Sequence, residues 1–352
     1  MIPQTHTGGA LRIALGLAAF IVIVAGMKAA AGLVVPFLLA AFIAIICAPA
    51  LNWLKSKGLS MGLALTVVIA AVALFGSLII SIIGGSIHSF TGQLPEYQKI
   101  LQSYIETLHG WLTHQGLTLY SDELKDAINP GKILQFVGGV LNSLGNLLAN
   151  GFLIFLTVVF LLFEGSSFQA KMRLMAGDAD IQMQRLQEFL ASVNKYMAIK
   201  TITSLATGTV VSIWLAILGV DFALLWGLLA FLLNYIPNIG SIIAAVPALL
   251  LALVSAGPGT ALWAAAGYLM INTIVGNVVE PKYLGNRLGL STLVVFISLV
   301  FWGWVLGTVG MFLSVPLTMV LKLALEAREE TRWIAILLGT GHEASAADSE
   351  TS

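Results

Sequence analysis

The chain has 352 residues, of which 58% are hydrophobic and only 10% charged, and its mean hydropathy is +0.95. A soluble domain of this length cannot bury so much apolar surface, so the composition defines a polytopic membrane protein, and the spans read below make it all-α. The formal net charge is zero and there is one cysteine, Cys47. Charge balance gives no reason to expect a nucleic-acid partner, and a disulfide framework or thiolate metal site within one chain is excluded; Cys47 reads as a small buried hydrophobe.

In chain order, Arg12 stands before an apolar stretch that runs to Met27 without a persuasive cleavage site, which predicts an uncleaved first span over about Leu11 to Met27. Spans two and three are predicted over Ala29 to Leu51 and Met61 to Ile87, completing a first block of residues 1–87. Residues 88–135 are polar with helical periodicity and are expected outside the bilayer. One helix opens with Pro95 in its first turn and carries Tyr97, Leu101, Tyr104 and Trp111 on one face. A second opens at Ser121-Asp122-Glu123 and stops at Asn129-Pro130-Gly131. Span four follows over Phe136 to Phe163, then an amphipathic cytoplasmic segment over 164–200 with Leu186, Phe189, Leu190, Val193 and Met197 on one face. Residues 201–322 form the expected transport core; Ile199 to Val220, which leads into it, and Ala261 to Val279 are full spans. Residues 323–352 are a cytoplasmic tail whose last dozen residues have a disorder-like composition.

Within the core, no charged residue occurs from Phe222 to Val279, yet the apolar run is interrupted at Asn234-Tyr235-Ile236-Pro237-Asn238-Ile239-Gly240. The arms, Phe222 to Leu233 and Ser241 to Ala256, both fall short of the roughly 20 helical residues that a bilayer core demands. They predict a re-entrant helical hairpin. Backbone exposed at that depth is tolerated only where it lines a cavity or is buried in protein, so the turn is a candidate binding site. Leu288 to Leu321 is also uncharged and carries Gly303, Gly307 and Gly310 near its middle, predicting a second hairpin. A pair of Gly/Pro-interrupted segments points to the substrate site of a secondary transporter. The expected architecture is about six full transmembrane helices plus two re-entrant hairpins.

The candidate residues carry two readings each. Asn234, Tyr235, Pro237, Asn238 and Gly240 either offer neutral donors and acceptors to a small polar solute or a desolvated cation, or Asn234 and Asn238 cap the helix ends. Glu280, the one acid between Phe222 and Leu321, is either a coupling site for a proton or cation or a headgroup-level carboxylate. In the coupling reading Pro281 breaks the helix beside it, and Asn277 and Asn272 share its face; an ion pair with the expected partners Lys282 or Arg287 would favour a structural reading instead. Asp221 is expected to N-cap the first hairpin, and Lys200 to snorkel to the interface. Trp302 and Trp304 flank Gly303 and read as packing, while Gly303 and Gly307 form a GxxxG pair suited to close helix approach and, with Glu280, to gating. No metal site or cofactor is expected: His88, His109 and His114 have no acid or cysteine at ligand spacing. The chain has no GxxxxGK[ST], HExxH or GxSxG motif, which argues against an ATP-driven pump and against an enzyme.

Orientation follows from Lys and Arg. With the N-terminus inside, about thirteen of the 17 basic residues fall on the cytoplasmic side. Both termini are then cytoplasmic, and the hairpins enter from opposite faces.

Three segments carry a family resemblance: WGLLAFLLNYIPNIGSIIAAVPALL (Trp226 to Leu250), NVVEPKYLGNRLGLSTLVVFISLVFWGW (Asn277 to Trp304) and GMFLSVPLTMVLK (Gly310 to Lys322). With VVPFLLAAFIA from Val34 and QLPEYQ from Gln93, they resemble the autoinducer-2 exporter family of permeases over almost the whole chain. The resemblance implies a bacterial inner-membrane protein exporting a small signal molecule in quorum sensing, autoinducer-2 being the namesake, and a homo-oligomer, with pentamers expected. Some members of that family are linked instead to sodium/proton or other cation antiport. A membrane scaffold or regulator whose hairpins only pack is the alternative from another class.

Overall fold

A computed structural model describes residues 7–115, 130–176, 180–237, 239–284, 290–326 and 329–339. The described residues form helices and turns only: α1 (Thr7–Ala29), α2 (Ala31–Ser56), α3 (Met61–His114), α4 (Pro130–Ala149), α5 (Gly151–Ala176), α6 (Asp180–Ile217), α7 (Ala223–Leu233), α8 (Gly240–Ala256), α9 (Pro258–Ile274), a π turn (Val275–Val279), α10 (Glu280–Leu284), α11 (Thr292–Glu326) and α12 (Glu329–Leu338). Among them five stretches are long and apolar enough to cross a bilayer: Ala31–Ser56, Met61–Thr107, Leu190–Ile217, Pro258–Tyr283 and Thr292–Glu326. Ala14–Ala29, Gly151–Gly165 and the two arms of the first hairpin are shorter apolar helices. The all-α polytopic class holds.

The chain forms two compact units, one of residues 46–163 and 194–288, the other of residues 1–45, 164–193 and 289–352. In the first, α4 begins with Pro130 at its first position, where a missing N–H costs nothing. A helix therefore starts at Pro130. Leu134, Val137, Leu141 and Leu144 are buried at i, i+3, i+7 and i+10. They place one face of α4 on α3, where a Cβ at Gly138 would lie 3.9 Å from Phe90 and one at Gly145 3.6 Å from Ile87. Span four is thus not one helix over Phe136 to Phe163: it divides between Ala149 and Gly151. The packing on α3 also accounts for a second correction. Pro95 lies inside the continuous 54-residue α3 instead of opening a new helix. A proline in a helix interior costs about 3 kcal/mol, and buried Phe90, Tyr97 and Leu101 on either side of it supply the offsetting contacts. The helix expected from Ser121 lies outside the described residues.

The first hairpin matches its expected arms to within a residue. Helix α7 has 11 residues and α8 has 17, so α7 is only about 16 Å long. In the turn, Ile236 N–H donates to the Leu233 carbonyl at 2.9 Å and Gly240 N–H to the Ile236 carbonyl at 3.3 Å. Gly240 is required sterically: a Cβ there would run into the Leu233 carbonyl. Helix α9 starts at Pro258 and packs back along α8.

In the other unit α11 folds on itself. Gly307 takes φ 69°, ψ −152°, backbone that only glycine adopts without strain. Across the fold, Trp302 Nε1 donates to Thr318 Oγ1 at 3.0 Å, and Gly310 lies against the Trp302 carbonyl much as Gly240 lies against that of Leu233. Gly303 makes room for Met311 in the facing arm. The expected GxxxG pair is therefore a kink and an intra-hairpin contact, and Gly303 and Gly307 do not act together as one packing face. Trp302 joins Val24, Val305 and Leu306 in a buried cluster. Exposed Trp304 carries the Lys28 ammonium 3.8 Å from its ring centroid.

Candidate functional site

The site is assembled by two antiparallel crossings on α6. That helix ends at Gly219, whose φ of 73° forms a left-handed cap in which Val220 N–H donates to the Leu215 carbonyl at 3.0 Å and Gly219 N–H to that of Ala216 at 3.1 Å. The chain reverses into α7 through Phe222, and Asp221 does not cap it: α7 has no side-chain cap. Asp221 instead accepts from the Tyr97 hydroxyl at 2.9 Å, and its carbonyl takes Trp226 Nε1 at 3.0 Å. Its carboxylate is drawn to a helix distant in sequence, so local capping rules cannot place it.

Helix α7 then returns along α6 at the closest approach glycine allows. A Cβ on Gly208 would lie 2.6 Å from the Gly227 carbonyl and 2.7 Å from Phe231 Cβ. Two turns beyond Gly227, this register sets Asn234 against Ser204, with Asn234 Nδ2 donating to Ser204 Oγ at 3.0 Å. On another side, α9 runs antiparallel to α6. The absent side chain of Gly267 admits the Trp214 indole, whose Nε1 donates to the Trp263 carbonyl at 3.1 Å. Thirteen or fourteen residues further along each helix from that contact, the register brings Glu280 to Lys200.

Lys200 Nζ lies 2.6 Å from Glu280 Oε1, with side-chain exposures of 6% and 15%. The same ammonium donates to the Asn234 carbonyl at 2.9 Å. That carbonyl stands at the C-terminal end of α7, where the last helical carbonyls lack intrahelical donors and the dipole favours a cation. Thr203 Oγ1 lies 3.3 Å from Glu280 Oε1 and 3.2 Å from the Lys200 carbonyl, either of which can take its hydrogen. Tyr235 donates from its hydroxyl to Thr201 Oγ1 at 2.8 Å, and Thr201 donates on to the Met197 carbonyl at 2.7 Å. Thr203, Ser204 and Thr207 are all buried. The result is a polar network held inside an apolar unit, with a charge pair at its centre and the hairpin turn as one wall.

Lys200, expected at the interface, is thus turned inward. The pattern was present: Lys200, Thr203, Ser204 and Thr207 recur at i, i+3, i+4 and i+7 within an apolar helix, a polar stripe that cannot all face lipid. Glu280 pairs with Lys200 in place of the expected Lys282, which is exposed; Arg287 lies outside the described residues, as does Asn238. Asn234 and Tyr235 join the network, Gly240 closes the turn and Pro237 is half-buried beside it. Asn277 is exposed and Asn272 half-buried, and neither bonds to Glu280. The reason is the π turn over Val275–Val279, in which Glu280 N–H reaches back to the Val275 carbonyl. The widened turn accommodates Pro281, which has no N–H to give, and rotates Glu280 away from the asparagine face. Pro281 therefore continues the helix into α10 and does not break it. Gly303 and Gly307 belong to the other unit. Among the described residues no group of three or more His, Cys, Asp or Glu side chains could hold a metal ion.

A polytopic helical fold with a short-armed hairpin, and an ion pair buried where the hairpin ends, is the architecture of a membrane transport protein. The chain belongs to the AI-2E family of transporters: the description "AI-2E family transporter" matches residues 17–330. A Haemophilus influenzae relative described as "Putative transport protein" is 43% identical over 334 residues, 93% of this chain and 96% of the relative. The Escherichia coli K12 protein TqsA, described as "AI-2 transport protein", is 40% identical over 332 residues, covering 93% of this chain and 95% of TqsA. The E. coli K12 protein YhhT, described as "Putative transport protein YhhT", is 38% identical over 343 residues, 97% of this chain and 98% of YhhT.

Proposed function

We propose that this protein is a bacterial inner-membrane secondary transporter that carries a small polar solute out of the cytoplasm. Autoinducer-2 is the solute named for the relative TqsA, and it is the one proposed here. The observation that supports this reading best is the buried Lys200–Glu280 pair tied to the Asn234 carbonyl at the hairpin turn. Removing two charges from water costs several kcal/mol per ion before their attraction is counted, so an apolar core that keeps such a pair points to function. In this proposal Asn234, Tyr235, Pro237, Asn238 and Gly240 form the solute side of the site, and Glu280 with Lys200 the coupling side. A proton taken up by Glu280 releases the Lys200 ammonium, and with it the turn that this ammonium holds. Both termini face the cytoplasm in this reading, and the hairpins are re-entrant.

The test is flux in proteoliposomes of purified protein, using labelled autoinducer-2 and labelled sodium, with and without imposed proton and sodium gradients. Gradient-dependent autoinducer-2 flux is expected, and Glu280→Gln should abolish the gradient dependence while leaving downhill exchange. Sodium flux without autoinducer-2 flux would replace the reading by cation antiport, and no flux of either would replace it by a scaffold role.

A further inference from the structure

Helix α3 meets both ends of the first hairpin. Tyr97 and Tyr104 stand seven residues apart on it, two turns along one face. The hydroxyl of buried Tyr97 donates to Asp221 Oδ2 at 2.9 Å, just before α7, and Gln93 Oε1 lies 2.6 Å from the same hydroxyl. A hydroxyl has one hydrogen to give, and the carboxylate takes the stronger bond. Tyr104 reaches the far end of the hairpin, where a Cβ on Gly257 would lie 3.8 Å from its hydroxyl.

Asp221 is tied to α7 as one piece, because Trp226 Nε1, on a fully buried indole, donates to its carbonyl at 3.0 Å. The bond to Tyr97 therefore ties α7 to α3. Phe75 of α3 also meets Phe231 of α7 edge to face, with ring centroids 6.2 Å apart. An apolar contact of that kind tolerates small slides that a hydrogen bond does not. At the opposite end of α7 the Lys200 ammonium holds the Asn234 carbonyl. An 11-residue helix is thus pinned at both ends, by side chains of two different helices.

The backbone leading into α7 is strained. Gly219 and Phe222 both take left-handed conformations, with φ of 73° and 57°. Glycine does so freely; phenylalanine does not, and among the described residues Phe222 is the one non-glycine residue with positive φ. Such a conformation persists only where its surroundings hold it. Its cost and the worth of a hydroxyl bond to a carboxylate are of similar size, so the junction stands near balance and the loss of one bond is enough to release it.

We propose that the Tyr97–Asp221 hydrogen bond is a latch on the mouth of the first hairpin, that Gly219 to Phe222 is the hinge it restrains, and that Tyr97 is a positioning residue setting how readily α7 swings during transport. This rests on the transport reading above and adds to it a second hold on α7, separate from the Lys200–Glu280 pair.

The experiment compares wild type, Tyr97→Phe, Asp221→Asn and Tyr268→Phe in the full chain. Tyr97→Phe removes the hydroxyl and keeps the ring beside Phe90. Asp221→Asn leaves Tyr97 a neutral acceptor, and it carries the test if the first variant fails to fold. Tyr268 is a buried tyrosine whose hydroxyl has no partner among the described residues, so Tyr268→Phe is the control for the same chemical change. Hydrogen exchange over residues 219–226, read by mass spectrometry, is measured alongside proteoliposome flux of labelled autoinducer-2. One lost hydrogen bond to a charged group shifts the released population about tenfold or more. Exchange at 219–226 should quicken by that factor in Tyr97→Phe, by less in Asp221→Asn and not in Tyr268→Phe, with α4 unchanged. In Tyr97→Phe, Vmax should rise severalfold at wild-type KM, and gradient dependence should persist. Wild-type exchange at 219–226 in both latch variants, or an equal quickening across α4, overturns the latch. Faster local exchange with Vmax unchanged, or with KM raised instead, overturns the positioning role. Wild-type vesicles that carry no autoinducer-2 overturn the transport reading and the positioning role with it, and the exchange arm still decides the latch.

Discussion

Removing either member of the Lys200–Glu280 pair should destabilise the protein unequally, and removing both should restore much of the loss. Lys200→Met leaves Glu280 with one hydroxyl contact, from Thr203, on a side chain that is 15% exposed. Breaking a fully buried pair costs about 3–5 kcal/mol, and the partial exposure of Glu280 places this variant near about 3 kcal/mol. Glu280→Leu is milder. It leaves the ammonium on the Asn234 carbonyl at 2.9 Å, a hydrogen bond to a charged group worth about 1.5–3 kcal/mol, so a loss of about 2 kcal/mol is expected. Lys200→Met with Glu280→Leu removes both charges and their desolvation, and should lie within about 1 kcal/mol of wild type. The coupling energy from this cycle is then about 4 kcal/mol, above the range of 0.5–3 kcal/mol usual for neighbours, because each single variant strands a buried charge. The four proteins would be compared by reversible denaturant titration in mixed micelles, with circular dichroism as the readout. Additive losses, giving a coupling below about 0.5 kcal/mol, would mean that the two side chains do not meet and that the proposed coupling site does not exist.

Gly240→Ala should lower stability by about 3 kcal/mol through the clash of its Cβ with the Leu233 carbonyl; a melting temperature equal to wild type would show that the turn is wider than described. Asn234→Ala removes the bond to Ser204 Oγ but not the backbone carbonyl that holds Lys200. It should therefore cost about 1–3 kcal/mol while gradient dependence of flux persists, and loss of that dependence would assign the coupling role to the side chain. Single cysteines at Ser121 and Ser166 in a Cys47→Ala background should be labelled by an impermeant maleimide from opposite sides of the membrane; labelling of both from one side refutes the orientation read from the basic residues.

Membrane class, the arms of the first hairpin and the position of its turn were legible in the amino-acid order itself. They depend on local quantities: how long an apolar run lasts, where charge is absent, and where Asn, Pro and Gly interrupt it. The family resemblance rests on the same segments. Helix continuity was less legible, because Pro95 opens a helix in isolation but is carried inside α3 once α3 and α4 pack together. The site was half legible. Asn234, Tyr235, Gly240 and Glu280 stood out as polar or special residues in an apolar stretch, but the partner of Glu280 did not. Lys200 is 80 positions away. Whether a lysine at a helix's apolar boundary snorkels outward or turns inward depends on what the facing helix offers at that height. Here it is decided by close glycine contacts, Gly208 with Gly227 and Gly267 with Trp214. They set the register of α7 and α9 against α6 and so bring one carbonyl and one carboxylate to the same ammonium. Tertiary packing alone fixes that register, since a charge buried in an apolar core is stable only where a distant segment delivers its counter-charge.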